Sequence, residues 1–246
     1  LIMEAKKNGA NAVKLQTYKP DSLTLKSNKK YFKLKKGLWK GANLWDLYNQ
    51  CQTPFEWHKE LFSYAQKIGI TLFSTPFDET AVDMLVDLNT PAFKIASFEL
   101  TDLELVKYVA KQNKPTIIST GMASEIEIEN AVSAFKSNSE AELVLLHCVS
   151  NYPAEIETTN LKAMTELRNK FGALVGLSDH SSGSFMPVMA TALGATVIEK
   201  HFTLDKNASG PDNSFSMEPN ELVELVSSTK SAWNALGVAS LNKESV

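Results

Sequence analysis

The sequence predicts an α/β protein built as a (β/α)8 TIM barrel that lacks its first strand. Short runs rich in Val, Ile, Leu and Phe alternate with longer segments of helical period, which makes seven βα units at intervals of roughly 20–30 residues. The chain has 246 residues, 43% of them apolar, so residues 1–246 are expected to form one barrel-sized domain. A doubly wound open sheet is the alternative, but the sequence has no glycine-rich phosphate turn.

The elements are expected in a regular order. An amphipathic helix opens the chain and stops at Gly9, and it would follow the missing first strand. The predicted strands are 12–16, 70–74, 92–96, 115–119, 143–148, 174–178 and 196–200. The predicted helices are 55–68, 78–88, 101–111, 124–137, 158–171, 184–193 and 218–236.

Residues at the helix boundaries agree with this order. Glycine stands where helices should stop before a strand, at Gly69, Gly172 and Gly194. A serine or threonine followed three residues later by glutamate indicates a capping box at a helix start. The sequence has two such pairs, Thr101 with Glu104 and Ser124 with Glu127.

One connection, residues 17–54, is much longer than the others and is called the flap below. A connection of this length in a compact domain usually has a function. Its many aromatic residues predict an ordered segment: Tyr18, Tyr31, Phe32, Trp39, Trp45 and Tyr48. It also carries a lysine run, which is either a solvated face or a lid that attracts anionic substrates: Lys26, Lys29, Lys30, Lys33, Lys35 and Lys36.

Composition excludes several classes of protein. A net charge of −3 argues against a nucleic-acid partner, and no apolar run approaches the ~20 residues that a membrane span needs. The two cysteines, Cys51 and Cys148, lie in dissimilar settings, so a disulfide framework is not expected and a cytoplasmic location is.

Polar residues collect where the predicted strands end, which is the end of a barrel that carries the chemistry. Two histidines, His180 and His201, follow neighbouring strands. If the strands are parallel neighbours, the imidazoles lie on one rim and suit a divalent metal. The alternative is that each histidine is an ordinary core or rim residue. His58 is expected to be structural, and His147 either packs or joins the site.

Two lysines lie inside apolar strand runs, Lys14 between Val13 and Leu15, and Lys94 between Phe93 and Ile95. A buried ammonium is costly unless it meets an anion. Either each lysine pairs with a core carboxylate, or both bind a phosphate together with nearby hydroxyl groups. The candidate hydroxyl residues are Thr75, Ser97, Ser119 and Ser178.

These strand ends resemble those of the sialic acid synthase family, whose members condense phosphoenolpyruvate with an amino-sugar. The matching stretches are 14–17, 74–78, 94–99, 118–122, 152–153, 176–180, 199–203 and 210–212. Within the family, residues 31–58 of the flap region are similar to the same region of pseudaminic acid synthases. This resemblance covers nearly the whole chain, in order.

The resemblance implies a function and a set of roles. The expected reaction joins phosphoenolpyruvate to a 6-deoxy diacetamido hexose and releases phosphate by C–O cleavage. A divalent cation, Mn²⁺ or Mg²⁺, would be bound by His180 and His201. Phosphoenolpyruvate would be held by Lys14, Thr75, Lys94, Ser97, Ser119 and Ser178. The sugar pocket would be lined by Gln16, Glu99, Asn151, Tyr152 and Asp212. Lys14, Lys94 and Glu99 are the expected catalytic residues, and the general base is either Glu99 or a carboxylate outside this sequence.

Two family features are not expected in this chain. The first strand normally carries a glutamate, and a C-terminal antifreeze-like domain normally reaches across a homodimer to close the partner's site. A homodimer is therefore expected when that domain is present. Three other functions stay open: an N-acetylneuraminate or legionaminate synthase, a Schiff-base aldolase on the same fold, and a non-catalytic sugar-binding barrel.

Overall fold

A computed structural model describes residues 1–238, and all seven of its named strands lie in one parallel sheet. The order in the sheet is the order in the chain. The strands are β1 Ala12–Thr17, β2 Thr71–Pro76, β3 Phe93–Ile95, β4 Thr116–Ser119, β5 Leu143–Cys148, β6 Leu174–Asp179 and β7 Val197–Lys200. The end of the predicted single domain, 239–246, lies outside the described residues, and that domain assignment stays a prediction.

Helices connect the strands in the right order for βα units. They are α1 Ile2–Lys7, α2 Pro20–Leu23, α3 Leu44–Cys51, α4 Phe55–Ile68, α5 Glu79–Asp87, α6 Leu103–Ala110, α7 Glu125–Lys136, α8 Lys162–Phe171, α9 Phe185–Ala192 and α10 Pro219–Ala235. Four short 3₁₀ turns lie at Lys30–Phe32, Glu99–Thr101, Ile156–Thr158 and Asn213–Phe215. Within residues 1–238, no helix is both long enough and apolar enough to cross a bilayer.

The sheet curls so that its first and last strands approach each other. A flat sheet of seven strands would be about 29 Å wide at a spacing of about 4.8 Å. The side chains of Lys14 on β1 and Glu199 on β7 nevertheless meet at 2.8 Å. The chain is thus a (β/α)8 barrel without its first strand, as the sequence predicts.

Apolar side chains pack the helices onto the outside of this sheet. One large cluster includes Leu85 of α5, Phe93 of β3, Val106 of α6, Leu145 of β5 and Met164 of α8, all with almost no exposed surface. Full burial of such side chains contributes about 1.5–3 kcal/mol each. The cluster fixes the positions of the strand ends, where the polar residues lie.

Helix boundaries follow local chemistry. Ser124 and Glu127 form the predicted capping box at the start of α7. The second predicted box, Thr101 with Glu104, is wrong. A 3₁₀ turn occupies Glu99–Thr101, so α6 begins two residues later and Asp102 caps it by accepting from the Leu105 N–H. Aspartate is as good an N-cap as serine and better than threonine.

The flap has structure of its own. Asn43 caps α3, and an isolated bridge pairs Lys33 with Asn43. Tyr18 is buried, with its ring 5.9 Å from Tyr48 and 5.3 Å from Phe77. All six lysines of the flap run are exposed, which agrees with a solvated face.

Candidate active site

Five strands contribute side chains to one polar cluster at the C-terminal ends. Lys14 Nζ donates to Glu199 Oε1 at 2.8 Å, and Lys94 Nζ lies 3.9 Å from the same oxygen. Lys94 also donates to Ser119 Oγ at 2.7 Å, and Ser178 Oγ donates to Glu199 at 3.3 Å. Both predicted lysines and two predicted serines therefore surround one carboxylate.

The charges of this cluster do not balance. Burial lowers the pKa of Lys94 to about 8, and the charge of Lys14 acts in the same direction. Burial opposes ionisation of Glu199, but the two lysine charges outweigh it and lower its pKa to about 2. Near neutral pH, two ammonium groups face one carboxylate. The lysines do pair with a core carboxylate, and one positive charge remains for an anion.

Hydroxyl and amide groups also lie at the ends of β2, β3 and β4. Thr75 Oγ1 is buried and has no hydrogen-bond partner among residues 1–238. The N–H of Gly121 donates to Ser97 Oγ at 3.0 Å. A Cβ at Gly121 would stand 2.9 Å from that Oγ and 2.6 Å from Ser150 Oγ, so only glycine leaves this space open. Anionic oxygens accept hydrogen bonds from such groups.

The two predicted histidines lie side by side beyond this cluster. Their ring centroids are 5.5 Å apart. His180 Nδ1 donates to the carbonyl oxygen of Val149 at 2.8 Å, so the lone pair on Nε2 is free whenever the ring is neutral. Burial lowers the pKa of His180, but the contact with the Cys148 thiol outweighs burial and raises it. Burial, together with the charges of His180 and Lys14, lowers the pKa of His201 to about 3. His201 is therefore neutral near pH 7, as a metal ligand must be.

The histidine pair fits a cation with an incomplete protein shell. Within residues 1–238, no group of three or more His, Cys, Asp or Glu side chains is arranged to hold a metal ion. Asp212 Oδ2 does lie 3.5 Å from His201 Nδ1. A backbone carbonyl that orients a histidine is also typical of metal ligands. The donor set therefore suits a cation that takes its other ligands from water and substrate.

An aromatic wall stands against the histidines. The ring of Tyr152 lies 4.2 Å from that of His180 and 5.9 Å from that of His201. The ring of Phe215 lies 5.2 Å from both Tyr152 and His201. Such a wall offers apolar contact to a ligand beside the polar cluster.

The flap reaches this wall through a single tryptophan. Trp39 Nε1 donates to the carbonyl oxygen of Pro211 at 3.2 Å, next to Asp212, and its ring lies 6.4 Å from that of Tyr152. Trp45 is held within the flap by a bond to Asp21. Only Trp39 of these two tryptophans joins the site.

One carboxyl group stands apart as an acid–base candidate. Glu99 begins the 3₁₀ turn after β3, and its Oε2 is buried without a hydrogen-bond partner among the described residues. Burial raises its pKa to about 7. Burial also raises the pKa of Asp212. A carboxyl that titrates near neutral pH can both take and return a proton.

Two predicted residues stay at the edge of the site. Gln16 and Asn151 are exposed, and within residues 1–238 neither side chain has a hydrogen-bond partner. Gln16 does lie beside Thr75 in the β1–β2 ladder. His58 is buried against Thr17, and His147 contacts the Thr159 carbonyl oxygen, so neither joins the histidine pair.

Three residues matter more in the structure than the sequence suggested. The sequence could have indicated that Glu199 belongs to the site, because it lies two positions before His201 and therefore on the same strand face. Trp39 lies in a turn of the flap and Phe215 in a short 3₁₀ turn, where no periodicity indicates what they contact.

Comparison with known proteins identifies the family. The NeuB family matches residues 1–240. The chain is 48% identical to the pseudaminic acid synthase of Campylobacter jejuni, over 98% of this chain and 70% of that protein. It is 41% identical to the N,N'-diacetyllegionaminic acid synthase of Legionella pneumophila, over 96% of this chain and 68% of that protein.

A solved structure has the same fold as this chain. The N-acetylneuraminic acid synthetase of Leptospira borgpetersenii, in complex with citrate, superposes with a TM-score of 0.88 at 35% identity, over 99% of this chain and 80% of that one. Fold, strand-end residues and sequence all lead to one assignment. The chain belongs to the NeuB family of sialic acid synthases.

Proposed function

We propose that the protein condenses phosphoenolpyruvate with a 6-deoxy diacetamido hexose to give pseudaminic acid and inorganic phosphate. The observation that carries this proposal is the uncompensated positive charge of the Lys14–Lys94–Glu199 cluster, placed beside the His180–His201 pair, of which His201 is neutral near pH 7. Such a cavity suits an anion at one end and a cation-assisted carbonyl at the other. The similarity to a pseudaminic acid synthase supports the choice of product.

The lysines and hydroxyl groups hold the anionic substrate. Lys14 and Lys94 bind the phosphate and carboxylate of phosphoenolpyruvate as point charges. Ser119 and Ser178 are already held beside them, by Lys94 and Glu199 respectively. Thr75 offers its unused hydroxyl. These groups offset the charge of the phosphate as it leaves with the bridging oxygen.

The histidine end receives the sugar. His180 and His201 would hold Mn²⁺ or Mg²⁺, which supplies Lewis acidity to the open-chain aldehyde when bound. Tyr152 and Asp212 face this position from the aromatic wall and the 210–216 loop, and they orient the sugar. Gln16 and Asn151 bind sugar hydroxyl or acetamido groups at the rim.

Glu99 acts as the general base for the water that is added. C3 of phosphoenolpyruvate forms the new bond to the aldehyde carbon with the electron pair of its C=C bond, so that positive charge develops at C2. The aldehyde oxygen takes the carbonyl electron pair and becomes a hydroxyl group by accepting the proton that Glu99 removes from water. Glu99 takes a proton from the water that adds to C2, and the resulting tetrahedral centre loses phosphate by C–O cleavage. A pKa of about 7 lets Glu99 act as a base at neutral pH.

The nature of the sugar depends on the aromatic wall and the flap. Trp39 and Phe215 present apolar surface beside Tyr152, and a 6-deoxy sugar has a methyl group where other hexoses carry a hydroxymethyl group. Contacts of this kind discriminate by about 1–3 kcal/mol. A legionaminate synthase is the second candidate, because a relative of that function is 41% identical to the chain.

Phosphate release tests this proposal. The purified protein is assayed with phosphoenolpyruvate, Mn²⁺ and each candidate sugar in turn, with and without EDTA. We expect release to need the cation and to be fastest with the 6-deoxy sugar that leads to pseudaminic acid. Release without any sugar, or trapping of a pyruvate adduct by borohydride, would instead favour a hydrolase or a Schiff-base aldolase.

Assembly and location are part of the same proposal. We propose a cytoplasmic homodimer, closed by a C-terminal antifreeze-like domain in the full-length protein. Both Cys51 and Cys148 are free thiols, in keeping with a reducing compartment. Light scattering on the full-length protein gives its mass in solution, and a monomer would contradict the dimer.

A further inference from the structure

The two strands that carry the histidines also carry an ion pair on their opposite face. Asp179 directly precedes His180, and Lys200 directly precedes His201. The two residues are partners in the β6–β7 ladder. Lys200 Nζ lies 2.7 Å from Asp179 Oδ2, and the two side chains are only 5% and 2% exposed. Each member of the pair is thus one residue from one imidazole.

The pair also holds the chain beyond His180. Lys200 Nζ donates to the carbonyl oxygens of Ser181 at 2.6 Å and Gly183 at 3.1 Å. Asp179 Oδ1 accepts from the Ser181 N–H at 3.0 Å. The backbone on both sides of His180 is therefore fixed to the residue before His201. All three protons of the ammonium group are used in this way.

The stability of the fold does not by itself explain why an ion pair is buried at this position. A buried ion pair is often no more stabilising than well-packed apolar residues of similar size. Strand alternation directs Asp179 and Lys200 away from the cavity that receives the histidines, so neither can contact a substrate there. What they can fix is the separation and orientation of the two imidazoles.

We propose that Asp179 and Lys200 are positioning residues that set the geometry of the His180–His201 cation site. This inference rests on the proposed function, which places a divalent cation between those two rings. The pair acts only through the backbone, by joining the ends of β6 and β7 and the 181–183 turn. Partners that orient metal ligands typically contribute about 10–100-fold to metal affinity.

Calorimetric titration with MnCl₂ alone tests the proposal without any turnover. The first variant is the double replacement Asp179→Leu with Lys200→Met, which leaves no unpaired buried charge and is expected to fold. The second is Asp179→Asn, which keeps the shape and an acceptor but removes one charge. The control double variant, Glu125→Leu with Lys170→Met, removes an ion pair between α7 and α8 on the surface. Circular dichroism reports folding of each protein.

We expect the Asp179/Lys200 double variant to bind Mn²⁺ at least about tenfold more weakly than wild type, Asp179→Asn to be intermediate, and the control to match wild type. The KM for phosphoenolpyruvate should change much less, because no side chain of the lysine–serine cluster is replaced and Lys14 and Lys94 keep their own hydrogen bonds. Wild-type Mn²⁺ affinity in either folded Asp179 variant would overturn the proposal. Failure of the wild-type protein itself to bind Mn²⁺ would instead overturn the cation site of the proposed function, and this inference with it.

Discussion

Replacement of Lys94 by methionine should make the protein more stable and less active. The Lys94 side chain is buried, and its folded-state pKa lies near 8 instead of the ordinary 10.5. At about 1.4 kcal/mol for each tenfold change, burial of the charged form costs about 3 kcal/mol. Methionine has a similar length and no charge, and Glu199 keeps Lys14 as its partner.

The expected stability gain at pH 7 is about 2 kcal/mol, which raises the Tm by roughly 4–8 °C in a chain of this size. Because the folded-state pKa is lowered, the cost in the wild-type protein is present below pH 8 and disappears as the pH rises from about 8 towards 10.5. The Tm difference between the two proteins should therefore shrink over that window. Differential scanning calorimetry at pH 7 and pH 9.5 measures it.

The same replacement should damage phosphoenolpyruvate binding. A hydrogen bond from a buried charged group contributes about 1.5–3 kcal/mol, so kcat/KM for phosphoenolpyruvate should fall about 10–150-fold. Lys111→Met, at an exposed position, serves as the control and should change neither quantity. A lower Tm with unchanged kcat/KM would show that Lys94 is only a structural partner of Glu199, and the anion-site reasoning would be refuted.

Three other outcomes are expected. With saturating Mn²⁺, His180→Ala should reduce phosphate release at least about 100-fold, and near-normal turnover would remove it from the cation site. The pH profile of kcat/KM for phosphoenolpyruvate should fall below about pH 7, where Glu99 becomes protonated, and above about pH 8, where Lys94 loses its charge. Glu99→Gln should abolish the acidic limb of the residual activity, and a limb that persists would assign the base to another group. Trp39→Ala should raise the KM for the sugar about tenfold and leave that for phosphoenolpyruvate unchanged, whereas Trp45→Ala should change neither.

The strands and their order could be predicted because each strand is a short apolar run between polar helices. All seven lie within two residues of the expected bounds, and the Ser124 capping box is local in sequence. The start of α6 was less predictable. Thr101 and Asp102 are both good caps, and a 3₁₀ turn decides between them through packing that local sequence does not report.

Only part of the site could be predicted from the sequence. Strand alternation places Lys14 and Lys94 inside the barrel, but it does not reveal that both approach Glu199, since the three residues come from three different strands. The contact between Trp39 and Pro211 joins residues 172 positions apart. Such contacts depend on how the flap and the 210–216 loop fold over the barrel, and no local pattern specifies them.

The proposed function requires that a cation and an anion bind in one cavity at the strand ends. Anomalous diffraction at the manganese absorption edge, from crystals grown with Mn²⁺ and phosphoenolpyruvate, tests this requirement most directly. We expect an anomalous peak within bonding distance of both His180 and His201, with the phosphate on Lys14, Lys94 and Ser119. A peak bound by neither imidazole, or a phosphate bound away from the two lysines, would contradict this arrangement.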